Sequence, residues 1–187
     1  MATLTVEEIK FLVSQDIAVT QVFDASSCKN TVDRESQMTD LDMWFYFGGT
    51  TCRKAGHRLR SKASHCIQCD TSKIAFTKRY FSAGHIYLAY SRDQVLAKIG
   101  FTKNDPSIRE GTLCRDRYAN AVDWSIERSV FLSKNAGRTE FEIHSRLRRY
   151  CSPTLFERFP GLFVEAREIF SCSLEVALQA FDESFVR

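Results

Sequence analysis

The stretch Gly84-His85-Ile86-Tyr87-Leu88-Ala89-Tyr90, followed shortly by Val95-Leu96-Ala97-Lys98-Ile99-Gly100-Phe101, decides how the second half of this 187-residue chain folds. Ile86, Leu88 and Tyr90 alternate with Tyr87 and Ala89, and Val95, Ala97, Ile99 and Phe101 alternate with Lys98 and Gly100. Alternation of period two over both runs predicts a β-hairpin with one face toward a core. Tyr87 and Lys98 then share the other, non-core face.

Working outward, Asp105-Pro106 supplies an N-cap and a first-turn proline for a helix through about Arg117, and Trp124 to Leu132 suggests a third strand. A second helix is expected from about Gly137 to Tyr150, a short edge element from Glu168 to Cys172, and a closing helix from Glu175 to Phe181. Upstream, Thr5 and Glu8 read as a capping box opening a helix whose Val6, Ile9 and Val13 fall on one stripe. The predicted fold class is α+β: a small antiparallel three-stranded sheet flanked by helices, with an N-terminal helical segment and a zinc-knuckle module. The expected divisions are 1–50 (helical), 51–81 (basic, zinc-binding) and 82–187 (catalytic).

A hydrophobic content of 44% supports one ordinary core, or a core of about 100 residues with a small appended module. No apolar run approaches the roughly 18 residues that would span a bilayer, and Glu7 and Glu8 stand where a signal peptide would be basic, so no membrane is expected and a cytoplasmic location is. Charge is unevenly spread. Residues 1–51 hold three basic and eight acidic side chains, residues 52–80 eight basic side chains against Asp70 alone, and residues 81–187 fifteen and fourteen. The basic segment suits phosphate contact, since each neutralised phosphate releases a condensed counterion; a solvated charged face is the alternative.

Within that segment Cys52, His57, Cys66 and Cys69 form a C-x4-H-x8-C-x2-C series. The closing Cys-Ile-Gln-Cys places two thiolates on one knuckle, as tetrahedral zinc requires, and a short basic segment has too little core to fold without such a staple. His65 competes with His57 for the nitrogen position. Cys28, Cys114, Cys151 and Cys172 read as small buried hydrophobes.

On the second helix, Glu140, Ile143, His144 and Leu147 fall on one arc, whereas Glu142 and Arg146 lie opposite and can pair with each other. A carboxylate on an apolar face is costly unless it meets a cation. Glu140 is therefore either a metal ligand or half of a buried salt bridge, with Arg109 as a candidate partner. Arg109 shares the arc of Ile108, Thr112 and Leu113 and is directed toward the sheet.

Gly84-His85-Ile86-Tyr87 and Lys98-Ile99-Gly100, with Arg109, Tyr118-Ala119-Asn120, Asp123-Trp124, Glu140-x-x-Ile143-His144 and Glu168-Ile169-Phe170, resemble the GIY-YIG nuclease superfamily, in a bacterial and phage branch. The resemblance implies a divalent-metal-dependent endonuclease acting on nucleic acid, DNA rather than RNA, in restriction, mobile-element biology or phage defence. It implies Glu140 as ligand of one magnesium or manganese ion, Arg109 as grip on the scissile phosphate, and Tyr87 as the group that orients or deprotonates the attacking water. Lys98, standing where the family has tyrosine, favours the phenolate, and His144 donates to the phosphate or orients Glu140. Arg109 follows Gly100 by one residue more than the familiar spacing, which leaves Arg115 and Arg117 as alternative phosphate ligands. The competing readings are a non-catalytic, zinc-containing nucleic-acid-binding protein and, led by the acidic N-terminal segment, a protein-interaction adaptor.

Overall fold

The computed structural model describes residues 3–186 and divides into two compact units, Met1–Lys78 and Arg79–Arg187. No helix among the described residues is long and apolar enough to cross a membrane.

The first unit opens with α1 (Val6–Ser14), and the Thr5–Glu8 capping box forms as expected. The predicted buried stripe does not. Val6, Ile9 and Val13 face solvent, and Glu8 and Leu12 are buried instead. Glu8 is held by the Thr5 backbone N–H and by Arg58, and this double grip fixes the rotation of the helix against its weakly apolar face. Residues 1–50 also hold strands, which corrects the purely helical expectation. β1 (Val22–Asp24) pairs parallel with β2 (Phe45–Phe47), and β2 pairs antiparallel with β3 (Arg60–Ser61). Between β1 and β2 runs α2 (Thr31–Asp40), N-capped by Asn30. One core joins Leu12, Val22 and Phe45 to Leu59, Ile67 and Ile74, so residues 1–50 and the basic segment share their burial. α3 (Ser72–Phe81) follows.

In the second unit the hairpin is β4 (Gly84–Ser91) and β5 (Leu96–Thr102), in the register Tyr87↔Gly100 and Ala89↔Lys98. Val95, expected in the strand, takes φ +53° in the turn and is half exposed. Then come α4 (Pro106–Arg115), β6 (Ser125–Leu132), α5 (Ala136–Arg146), a hairpin of β7 (Thr154–Phe159) and β8 (Leu162–Ala166), β9 (Ile169–Ser171) and α6 (Leu174–Asp182).

The sheet has four strands in the order β6-β4-β5-β9, not three, because the expected edge element pairs with β5 through Lys98↔Ile169. Both faces are covered. Ile86, Leu88 and Ile99 pack with Ile143, Leu147 and Phe181 of the helices, while Tyr87, Ala89 and Leu96 pack with Leu113, Trp124, Phe156 and Ile169. The face expected to lie away from a core thus carries a second one, and Tyr87 is 0% exposed. Residues 154–166, unassigned in the sequence, form the β7–β8 hairpin. Pro160-Gly161 is the turn signal that marks it, with Gly161 at φ +78°.

Candidate active site and metal centre

Gly100 explains part of the local sequence. It lies across from Tyr87, and a Cβ built on it would stand 2.4 Å from both the Tyr87 hydroxyl and ring carbon Cζ. The tyrosine ring therefore rests on bare backbone. This packing requires a small residue at the end of Lys98-Ile99-Gly100 whatever the chemistry.

Around that pair a string of alternating charges runs into the unit. The Glu140 side chain on α5, 1% exposed, accepts two hydrogen bonds from Arg79 Nη2, at 2.9 and 2.7 Å. Arg79 Nη2 also stands 3.9 Å from Glu168 Oε1, and Lys98 Nζ donates to Glu168 Oε2 at 2.8 Å. Lys98 is buried, with its Nζ 4.8 Å from the Tyr118 ring centre. The salt-bridge alternative for Glu140 is therefore realised with Arg79 rather than Arg109. Close approach of α5 allows it: a Cβ on Gly137 would meet the Arg79 carbonyl oxygen at 2.5 Å, so the glycine admits the backbone that carries the guanidinium.

Burial pushes the Glu140 carboxyl above its ordinary value, with the Arg79 charge opposing. Glu168 moves the other way. Desolvation raises its carboxyl, but the charge and hydrogen bond of Lys98 bring it below the usual range. Burial lowers Lys98, but the charge of Glu168, the nearby Tyr87 and Tyr118 hydroxyls and the hydrogen bond to Glu168 together raise it above its ordinary value, so the ammonium is held protonated. His144 is lowered by burial, and its Nε2 donates to the Ile99 carbonyl at 3.1 Å. Burial raises the Tyr118 phenol, against the Lys98 charge.

Lys98 and Glu168 open onto a cleft of about 300 Å³, lined also by Arg109, Tyr118 and Arg158. Of the three candidate phosphate arginines, Arg109 lines this cleft, whereas Arg115 pairs with Asp116. Ile108, placed on the inward arc by helical spacing, is exposed. The predicted Glu142–Arg146 pair is replaced by Arg138–Glu142 at 3.0 Å and Arg146–Glu183 at 3.2 Å. Spacing in the sequence does not mark Arg79, Glu168 or Tyr118 as site groups. Arg79 was one cation among eight in the basic segment, and its partner lies 61 residues away. Glu168 had a usable signal, an acidic residue beside an apolar edge strand.

In the first unit, Cys52, His57, Cys66 and Cys69 bring their ligand atoms within 4.8 Å of one another. Cys52 Sγ lies 3.6 Å from Cys69 Sγ, and His57 Nδ1 lies 3.6 and 3.3 Å from the sulfurs of Cys66 and Cys69. Zinc bonds of about 2.3 Å to sulfur in a tetrahedron set sulfur–sulfur edges near 3.8 Å, so the donor set fits a metal such as zinc. His57 fills the nitrogen position. Backbone N–H groups of Ala55 and Lys54 bring the Cys52 thiol down to about 7, as suits a thiolate ligand.

A family model for the T5orf172 domain matches residues 84–184, more than half of the chain. The chain belongs to the T5orf172 domain family. No curated protein and no solved structure matches it. The T5orf172 domain is nuclease-like, consistent with a protein that acts on nucleic acid. The match corrects the GIY-YIG resemblance, since T5orf172 is a different family and its sheet here has four strands. The two tripeptides that carried the resemblance are short, and a tyrosine packed on a cross-strand glycine accounts for much of them.

Proposed function

We propose that this protein is a divalent-metal-dependent endonuclease that hydrolyses phosphodiester bonds of nucleic acid, DNA in preference to RNA. The observation that supports this best is the string Glu140–Arg79–Glu168–Lys98 ending in a cleft shared with Arg109. Buried charges such as Glu140 and Lys98 are costly, and a nuclease-like domain gives them a use. Arg109 grips the scissile phosphate with a planar fork, and Lys98, held protonated, neutralises charge growing on it. Glu168, ionised and partly open to the cleft, accepts a hydrogen bond from the attacking water and orients it. Tyr118 is the phenol that reaches the cleft. Its raised value keeps it a hydrogen-bond donor, while Tyr87 is enclosed and packed on Gly100.

Glu140 would hold magnesium or manganese, with Glu168 as the second carboxylate near the same point. Such ions need only one or two carboxylates plus water and substrate phosphate, and the Arg79 guanidinium already marks a place for positive charge between the two. When bound, the ion supplies Lewis-acid stabilisation of the phosphodiester. His144, neutral and tied to Ile99, fixes the packing beneath Glu140. In the first unit zinc is structural.

The test incubates wild type and Glu140→Gln with labelled single- and double-stranded DNA and RNA, in magnesium, manganese or chelator. Metal-dependent cleavage by wild type is expected, and its loss in the variant with binding retained. Turnover that survives in Glu140→Gln would defeat the assignment. Both Glu140 oxygens are already taken by Arg79, which favours a second reading as a non-catalytic nucleic-acid-binding protein. Metal-dependent nicking separates the two.

A further inference from the structure

The first unit contains a cleft of about 520 Å³ that shares Cys52 with the Cys/His cluster and whose other lining residues are all cationic or neutral. Arg34, Arg53, Lys54 and Arg60 line it together with hydroxyls of Thr31 and Ser64, and no carboxylate does. The size falls in the roughly 300–1,000 Å³ range of ligand clefts. Arg34 comes from α2, outside the basic segment, and is 8% exposed. Its Nη1 donates to the Tyr46 hydroxyl at 2.9 Å and its Nη2 to Ser64 Oγ at 3.1 Å, with its guanidinium carbon 4.3 Å from the Tyr46 ring centre. Its Nε is buried without a hydrogen-bond partner. The carboxylate paired with it among the described residues, Glu35 at 3.2 Å, is half exposed and outside the lining. Arg34 is thus a buried cation held rigidly and incompletely neutralised, an arrangement that raises the potential of the cleft in front of it.

Other features add to that potential. Thr31, the first residue of the ten-residue α2, also lines the cleft, so the positive end of that helix lies beside it. Arg60 is pinned by donating to the carbonyls of Thr50 and Ser64, both at 2.8 Å. Arg53 and Lys54 project from a loop closed by the Cys52 N–H on the His57 carbonyl at 2.7 Å.

We propose that this cleft binds the backbone phosphates of a polynucleotide. Spread cations and hydroxyl donors suit several phosphate oxygens better than a single carboxylate. The only aromatic face in the lining, that of Tyr46, is covered by Arg34, so no base can stack there and recognition is through the backbone. The choice of ligand rests on the nucleic-acid reading of the second unit, and the binding itself does not require cleavage.

The test is fluorescence anisotropy with the full zinc-loaded chain, in a Glu140→Gln background, on labelled single- and double-stranded oligonucleotides over a range of salt. Arg53→Ala with Lys54→Ala removes two exposed cations while leaving the backbone contacts of Cys52 intact. Its control, Lys10→Ala with Lys29→Ala, removes the same charge elsewhere on the unit. The cleft variant is expected to flatten the plot of log affinity against log salt by about two and to weaken binding about tenfold or more, with zinc content and melting unchanged. Equal losses in the two double variants, or binding of a mononucleotide but of no oligonucleotide, would overturn the proposal. Wild-type cleavage is scored separately, so failure of the cleft leaves the catalytic reading standing, and the reverse.

Discussion

Replacing Arg79 with Ala strikes the centre of the charge string. Glu140 takes both of its side-chain hydrogen bonds from Arg79 and is 1% exposed, so the variant leaves a carboxylate in a dry site without its cation. Breaking a fully buried pair costs about 3–5 kcal/mol. The Arg79 side chain is 43% exposed, so solvent screens part of the attraction and a loss of about 2 kcal/mol is the better expectation. At about 4 °C per kcal/mol for a unit of this size, the melting temperature should fall by about 8 °C at neutral pH.

The pH dependence carries the diagnostic. Burial already holds the Glu140 carboxyl above its ordinary 4.5, and removing the opposing Arg79 charge raises it further. A value raised in the folded state favours the protonated form there. Stability is then fullest below the ordinary value and is lost as pH climbs through the raised one. The deficit of Arg79→Ala should therefore shrink toward pH 4.5 and reach its full size near neutrality. Thermal unfolding of wild type, Arg79→Ala and Arg79→Ala with Glu140→Gln across that range measures it. The double variant should regain most of the loss, because an amide needs no cation. A deficit that is the same at every pH, or that the second substitution fails to relieve, would refute the assignment of a buried, partnered carboxylate.

Two further substitutions probe the scaffold. Gly100→Ala should cost about 1–3 kcal/mol in chemical denaturation, because the new methyl meets a tyrosine ring that is itself enclosed; an unchanged midpoint would show that Tyr87 can yield. Cys66→Ser should abolish roughly stoichiometric zinc and melt the first unit, measured by elemental analysis and circular dichroism, and a metal-free protein that melts like wild type would remove zinc from the fold.

The sequence by itself determined what is local. Period-two alternation fixed the hairpin, Asp105-Pro106 and Thr5–Glu8 fixed two helix starts, and C-x2-C with two upstream donors fixed the Cys/His cluster, because each pattern states its own geometry within a few residues. Tertiary structure alone decided the rest. It chose Arg79 over Arg109 for Glu140, turned α1 so that Glu8 is buried and Val6 is not, added β9 to the sheet beside Lys98, and drew Arg34 to Ser64 across 30 residues. In a chain with 26 lysines and arginines, many cations are chemically equivalent partners for one carboxylate. Which one reaches it depends on how separate elements pack, and a linear spacing does not encode that.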